Sequence, residues 1–198
     1  MVDNLDMENK TATKILDVAQ EMVRSRGYSA FSYADVAAAV GIRKASIHYH
    51  FPSKDKLASS LVQRYRQNMS RDCNWIATSS KLLDIQLMQF TGLYRNGLDK
   101  NQICLCAMLS ADFAILPVET QAEIRLFFQE TQAWLANLLQ QGVDAGLWVC
   151  SSSVQTEAIG LISLLQGTQL IARSSENPFD TFDQIVEPLL EAKFSIKF

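Results

Sequence analysis

The chain is short of residues that break regular structure. Its 198 residues include four prolines and eight glycines, too few for a collagen-like or low-complexity chain. Four cysteines make no disulfide scaffold, and the acidic, polar start MVDNLDMENK is the reverse of a secretion signal. The cysteines therefore read as thiols, and a cytoplasmic location is expected. Long apolar runs are also missing. Residues 103–116 are interrupted by Ser110 and Asp112, and residues 158–172 by Gln166 and Gln169, so neither spans a bilayer. Excess positive charge is absent as well. Eighteen Lys/Arg stand against 21 Asp/Glu, a net of −3, which excludes a uniformly basic nucleic-acid coat.

That net charge hides an asymmetry. Residues 1–67 carry ten Lys/Arg and seven Asp/Glu, while residues 68–198 carry eight and fourteen. A mildly basic front on an acidic body can bind an anion locally, because steering depends on the patch and not on the total.

What is present is helical periodicity. Ile15, Leu16, Ala19, Met22 and Val23 fall on one stripe of a helix over 11–26, and Gly27 ends it. Ser32 with Asp35 three residues on predicts a capped start for a short helix over 33–40. Gly41 breaks that helix, and a second short helix follows over 44–50. Pro52 stops it, and Ser53 caps a long helix over 54–77. Further helices are expected near 81–96, 103–114, 118–145, 153–173 and 179–194. The fold class is all-α, with about nine helices.

Residues 32–51 have the layout of a helix-turn-helix. Small alanines at 34, 37, 38 and 39 permit a close helix crossing, and Gly41 permits the sharp reversal. The second helix then offers Arg43, Lys44, Ser46, His48, Tyr49 and His50, groups able to meet phosphates and base edges in a major groove.

The stretch FSYADVAAAVGIRKASIHYHFPSKDKL closely resembles the tetracycline-repressor-like (TetR) family of bacterial transcriptional regulators. Gly41, Lys44, Ser46, Tyr49, Phe51, Ser53, Lys54 and Leu57 carry the resemblance, which covers roughly residues 10–66. Departures are Arg43 where Ser or Thr is frequent, Ala45 for Gly, and His48 for Tyr or Phe. These bear on which DNA sequence is read.

The resemblance implies a DNA-binding domain over 8–67 and a ligand-sensing and dimerisation domain over 68–198. It implies DNA contacts from Lys44, Ser46, His48, Tyr49 and His50, and phosphate contacts from Lys54, Ser32 and Tyr33. It also implies a ligand cavity between the middle helices, with Phe90, Tyr94, Cys104, Met108, Trp134, Leu165 and Gln169 as expected lining. Apolar residues on more than one face of 153–173 point to a homodimer, formed with help from 179–194. The expected function is a repressor released from a pseudo-palindromic operator by a small apolar or electrophilic ligand. A regulator without such a ligand, and a ligand carrier with a vestigial helix-turn-helix, are the alternatives.

Catalysis is not expected: both histidines lie in the DNA helix and no phosphate loop or nucleophile elbow occurs. No cofactor is implied. His48 and His50, two apart on a helix, point away from each other and cannot share a metal ion. Cys104 and Cys106 face the same obstacle. They read as small buried residues, with redox or electrophile sensing as the sharper alternative.

Overall fold

The computed structural model describes residues 2–29 and 31–195, with the backbone alone for residues 2–9. Among these residues there are nine α-helices and no strand. They are α1 (Val2–Arg26), α2 (Tyr33–Val40), α3 (Lys44–His50), α4 (Lys54–Ser79), α5 (Leu83–Arg95), α6 (Leu105–Ala111), α7 (Val118–Asp144), α8 (Val154–Ala172) and α9 (Pro178–Phe194). Short 3-10 turns follow α5 and α6. Helix α1 begins nine residues earlier than its apolar stripe predicts, because that stripe marks only the part with a face to bury.

The chain divides into two compact units. One comprises Met1–Arg66 with Leu105–Arg125, the other Gln67–Cys104 with Leu126–Phe198. The expected boundary at 67/68 lies one residue from the point within α4, between Arg66 and Gln67, where the units divide. However, a single cut there leaves out the return of Leu105–Arg125 to the first unit.

Named contacts explain that return. The end of the Met108 side chain lies against Gly27, 3.7 Å from where a Cβ would stand. Lys56 pairs with Glu119 at 2.6 Å, and Arg66 pairs with Glu123 at 2.9 Å. Between these pairs, the Ser59 and Thr120 hydroxyls lie 2.9 Å apart. Helix α6 and the start of α7 are thus tied to α1 and α4.

In the first unit, Ile15, Ala19 and Val23 bury the inner face of α1, with Val36, Ala37 and Val40 of α2, Ile47 of α3, and Leu57, Leu61 and Val62 of α4. Burying each large aliphatic side chain stabilises the fold by about 1.5–3 kcal/mol before entropy is counted. Gly41 adopts φ +79°, left-handed geometry that glycine takes without strain. Both Gly41 and Ile42 donate their N–H groups to the Ala37 carbonyl, closing α2.

In the second unit, Phe90, Leu87, Leu135, Leu139, Leu165 and Phe182 are almost wholly buried. Arg95 grips Asp183 through two hydrogen bonds of 2.6 Å, joining α5 to α9.

Candidate nucleic-acid interface

Helix α3 is anchored by one residue and open elsewhere. Ile47 is fully buried, whereas Arg43, Lys44, His48 and Tyr49 are exposed, Tyr49 by 69%. Ser46 and His50 are half-buried. One apolar peg therefore docks the helix while cations, an imidazole and a phenol stay outside. Arg43 occupies the N-cap position with no side-chain capping bond, so its guanidinium is not spent on the helix it begins.

Local capping orients the neighbouring helices. The Ser32 hydroxyl accepts from the Asp35 N–H, and the Asp35 carboxylate accepts from the Ser32 N–H at 2.9 Å. These Ser32 bonds hold the Asp35 carboxyl below its ordinary range. At the start of α4, the Ser53 hydroxyl accepts from the Lys56 N–H at 3.2 Å. Both N-terminal ends form as the sequence spacing predicts.

Two residues expected at phosphates face inward. Tyr33 is buried, and its hydroxyl donates to the Phe51 carbonyl at 2.7 Å. Its ring meets the His48 ring edge to face at 4.8 Å. Burial, with smaller contributions from Asp55 and Tyr28, pushes its hydroxyl up to about 12. His48 in turn brings Nδ1 to 3.3 Å from the Pro52 carbonyl.

Lys54 is the second inward-facing residue. Its ammonium donates to the Tyr28 carbonyl at 2.9 Å and lies 4.3 Å and 4.6 Å from the centres of the Tyr28 and Phe31 rings. Burial lowers its pKa, opposed by Asp55 and Asp112. No spacing rule signals either inward turn, because each depends on a partner roughly twenty residues away.

Six of the seven residues expected around a ligand fall in the second unit. Phe90, Tyr94, Cys104, Leu165 and Gln169 are each no more than 2% exposed. Trp134 joins them, stacked on Phe90 at 5.3 Å. The Gln169 amide spans this cluster: its oxygen accepts from the Cys104 N–H at 3.1 Å, and its nitrogen donates to the Tyr94 carbonyl. Met108 lies elsewhere, in the first unit against Gly27. Cys106 is fully buried and falls in the first unit as well. Trp75 is 62% exposed.

On α8 and α9, Gly160, Leu161, Leu164, Leu189, Leu190 and Ala192 line a cleft of about 430 Å³, with the ion-paired Glu157 and Lys193 also in its lining. Ile159, Leu170 and Ile171 are also exposed on α8. Among the described residues, no group of three or more His, Cys, Asp and Glu could hold a metal ion. Nor is any helix among them long and apolar enough to cross a membrane.

Comparison with known proteins agrees with this geometry. The family model described as "Bacterial regulatory proteins, tetR family" matches residues 15–61. The crystal structure of a TetR-family transcriptional regulator from Agrobacterium tumefaciens is similar at TM-score 0.89 and 31% identity, over 94% of this chain and 99% of that one. The nucleoid occlusion factor SlmA of Marinobacter nauticus is 25% identical over 175 residues, 86% of this chain and 89% of that protein. The transcriptional repressor DhaR of a Mycobacterium species is 23% identical over 187 residues, 92% of this chain and 93% of that protein.

Proposed function

The chain belongs to the TetR family of transcriptional regulators, and from that premise we propose that it is a homodimeric repressor released from a pseudo-palindromic operator by a small, uncharged, largely apolar ligand. DNA binding is its regulatory activity. The observation that carries the reading is α3 itself: a helix whose one buried side chain is Ile47, with Arg43, Lys44, His48 and Tyr49 exposed. One such helix makes few base contacts. Two related by a two-fold axis double them and call for an inverted repeat.

The α8 and α9 surface supports the dimer. Exposed Ile159, Leu170, Ile171 and Leu189 surround an apolar cleft, and a second copy of the same face would cover it. The second unit supports an uncharged ligand. Its buried polar side chains among the described residues are Gln86, Thr91, Gln102, Thr131, Thr168 and Gln169, all neutral. An ionised ligand there would meet aromatic walls and no counter-charge. Helices α4 and α7 each run unbroken from one unit into the other, which supports them as the link through which ligand and DNA influence each other. The ligand must bind the two states unequally for this to work. The electrophile-responsive form of the reading places the reaction at Cys104 or Cys106, both buried thiols, and requires local opening first.

The test is selection of bound duplexes from a random DNA pool at near-physiological salt. Enrichment of an inverted repeat is expected. Recovery of unrelated sequences whose binding vanishes as salt rises would reduce the interaction to phosphate attraction and sink the reading.

A further inference from the structure

We propose that Gln166 on α8 recognises the ligand of the second unit by donating a hydrogen bond from Nε2, and that the ligand is an uncharged, largely apolar molecule bearing a carbonyl-type acceptor. The inference rests on the ligand-release reading above and names the chemical group which that reading leaves open.

The amide nitrogen of Gln166 is enclosed, and no hydrogen bond meets it. The residue as a whole is half-buried, so the enclosed part is the donor end. A buried N–H without an acceptor has given up its hydration and gained nothing in return. Such an orphan calls for an acceptor that joins it in a bound state. Gln166 stands four residues after Ile162 and three before Gln169, so the three share one side of α8. Ile162 and Gln169 are each no more than 2% exposed. That side reaches the aromatic cluster, because Gln169 donates to the Tyr94 carbonyl. The Tyr94 ring meets Phe90 at 5.5 Å, and Phe90 stacks on Trp134 at 5.3 Å.

Gln169 cannot serve in place of Gln166. Its oxygen accepts from the Cys104 N–H at 3.1 Å and its nitrogen donates to the Tyr94 carbonyl. Both ends of that amide are therefore spent on the backbone where α5 ends and α6 begins. Thr91 and Thr131 are spent as well, donating to the Leu87 and Phe127 carbonyls at 2.9 Å and 2.7 Å. Gln86 donates to the Ser80 carbonyl at 2.8 Å. Gln166 Nε2, by contrast, keeps its N–H groups for an acceptor from outside the chain. A carbonyl oxygen supplies lone pairs without charge. A carboxylate would be excluded, since the buried polar side chains of this unit are neutral.

The test uses matched pairs of probes: acetophenone with ethylbenzene, tetralone with tetralin, and benzophenone with diphenylmethane. Within each pair a carbonyl is replaced by a methylene, and the aromatic body is kept. Each probe is titrated calorimetrically into the wild-type protein and into Gln166→Leu. In at least one pair the ketone is expected to bind the wild type about tenfold more tightly than the hydrocarbon. Gln166→Leu is expected to erase that preference and leave hydrocarbon affinity unchanged. A preference that survives in Gln166→Leu overturns the inference, as does equal binding within every pair or the binding of no ketone at all.

A second readout needs no ligand. Leucine in place of an enclosed, unpartnered amide removes a desolvation cost, so the unfolding midpoint of probe-free Gln166→Leu should equal or exceed that of the wild type. A lower midpoint would mean that the amide supports the fold, and the inference would fall. Release of the selected duplex separates this inference from the reading beneath it. A ketone that binds through Gln166 and leaves the duplex bound upholds the inference and overturns release by a ligand. Hydrocarbons that release the duplex as readily as ketones overturn the inference alone.

Discussion

Tyr33, the first residue of α2, donates its hydroxyl to the carbonyl of Phe51, the residue that closes α3, at 2.7 Å. The bond joins the beginning of one half of the helix-turn-helix to the end of the other. Both residues are buried, so water does not compete for it. The angle at which α3 is offered therefore depends on a group that itself points inward.

Replacing Tyr33 by Phe removes this one donor and leaves the ring in place. A buried carbonyl losing its partner costs about 1–3 kcal/mol, and that loss of stability is expected in urea denaturation. Operator affinity should fall with it, while the salt slope stays at its wild-type value. An unchanged unfolding midpoint would show that the hydroxyl does not hold the two helices together.

Alkaline pH acts on the same contact. Burial, reinforced by Asp55, pushes the Tyr28 and Tyr33 hydroxyls from 10.0 up to about 12. The folded state therefore favours their neutral forms. The stability they contribute is complete below about pH 10 and is lost as pH rises through 10 towards 12, where the unfolded chain ionises first. Denaturation midpoints followed from pH 8 to 12 should decline more steeply for the wild-type protein than for Tyr33→Phe. Parallel curves would remove Tyr33 from the linkage.

The residues differ in how far the sequence alone reveals them. The ends of α2 and the start of α4 are local matters, settled by Ser32 with Asp35, by Gly41 and by Ser53, and each is legible in a few consecutive residues. Most of the outward set on α3 is legible for the same reason, since a helix of seven residues with one aliphatic peg leaves Arg43, Lys44, His48 and Tyr49 exposed, whereas Ser46 and His50 are half-buried. Trp75 carried a readable warning. Met69, Cys73 and Ile76 form the buried stripe of that part of α4, and Trp75 lies off it, so its exposure follows from helical spacing despite its aromatic character. Tyr33, Lys54 and Met108 gave no such signal. Their partners are Phe51, Tyr28 and Gly27, between 18 and 81 positions away, and only the folded chain brings them together.

Gly142 tests the packing of the second unit. A Cβ at this position would lie 1.9 Å from Cε3 of Trp148, whose ring is buried and whose Nε1 donates to Asp84 at 3.1 Å. The ring is rigid and held at its far side, so it cannot yield cheaply. Gly142→Ala is expected to cost about 1–3 kcal/mol through overpacking, with a lower melting temperature and an altered tryptophan emission spectrum. A melting temperature equal to that of the wild type would mean that the α7–α8 turn relaxes without cost.

The α8 and α9 face makes the dimer testable separately from DNA. Leu164 and Leu189 both line the apolar cleft there, and Leu189 is 49% exposed in the single chain. Changing both to Glu places charge where a second subunit would exclude water. Uncompensated buried charge costs about 3–5 kcal/mol, so dimer dissociation should become at least about a hundredfold easier. Because both positions are at the surface of the isolated chain, the helical signal in circular dichroism should survive. Sedimentation at micromolar concentration should then show a folded monomer, and binding to an inverted repeat should collapse towards that of a single half-site. A folded, fully dimeric double variant would require the subunits to meet through another surface, while leaving the reading of α3 untouched.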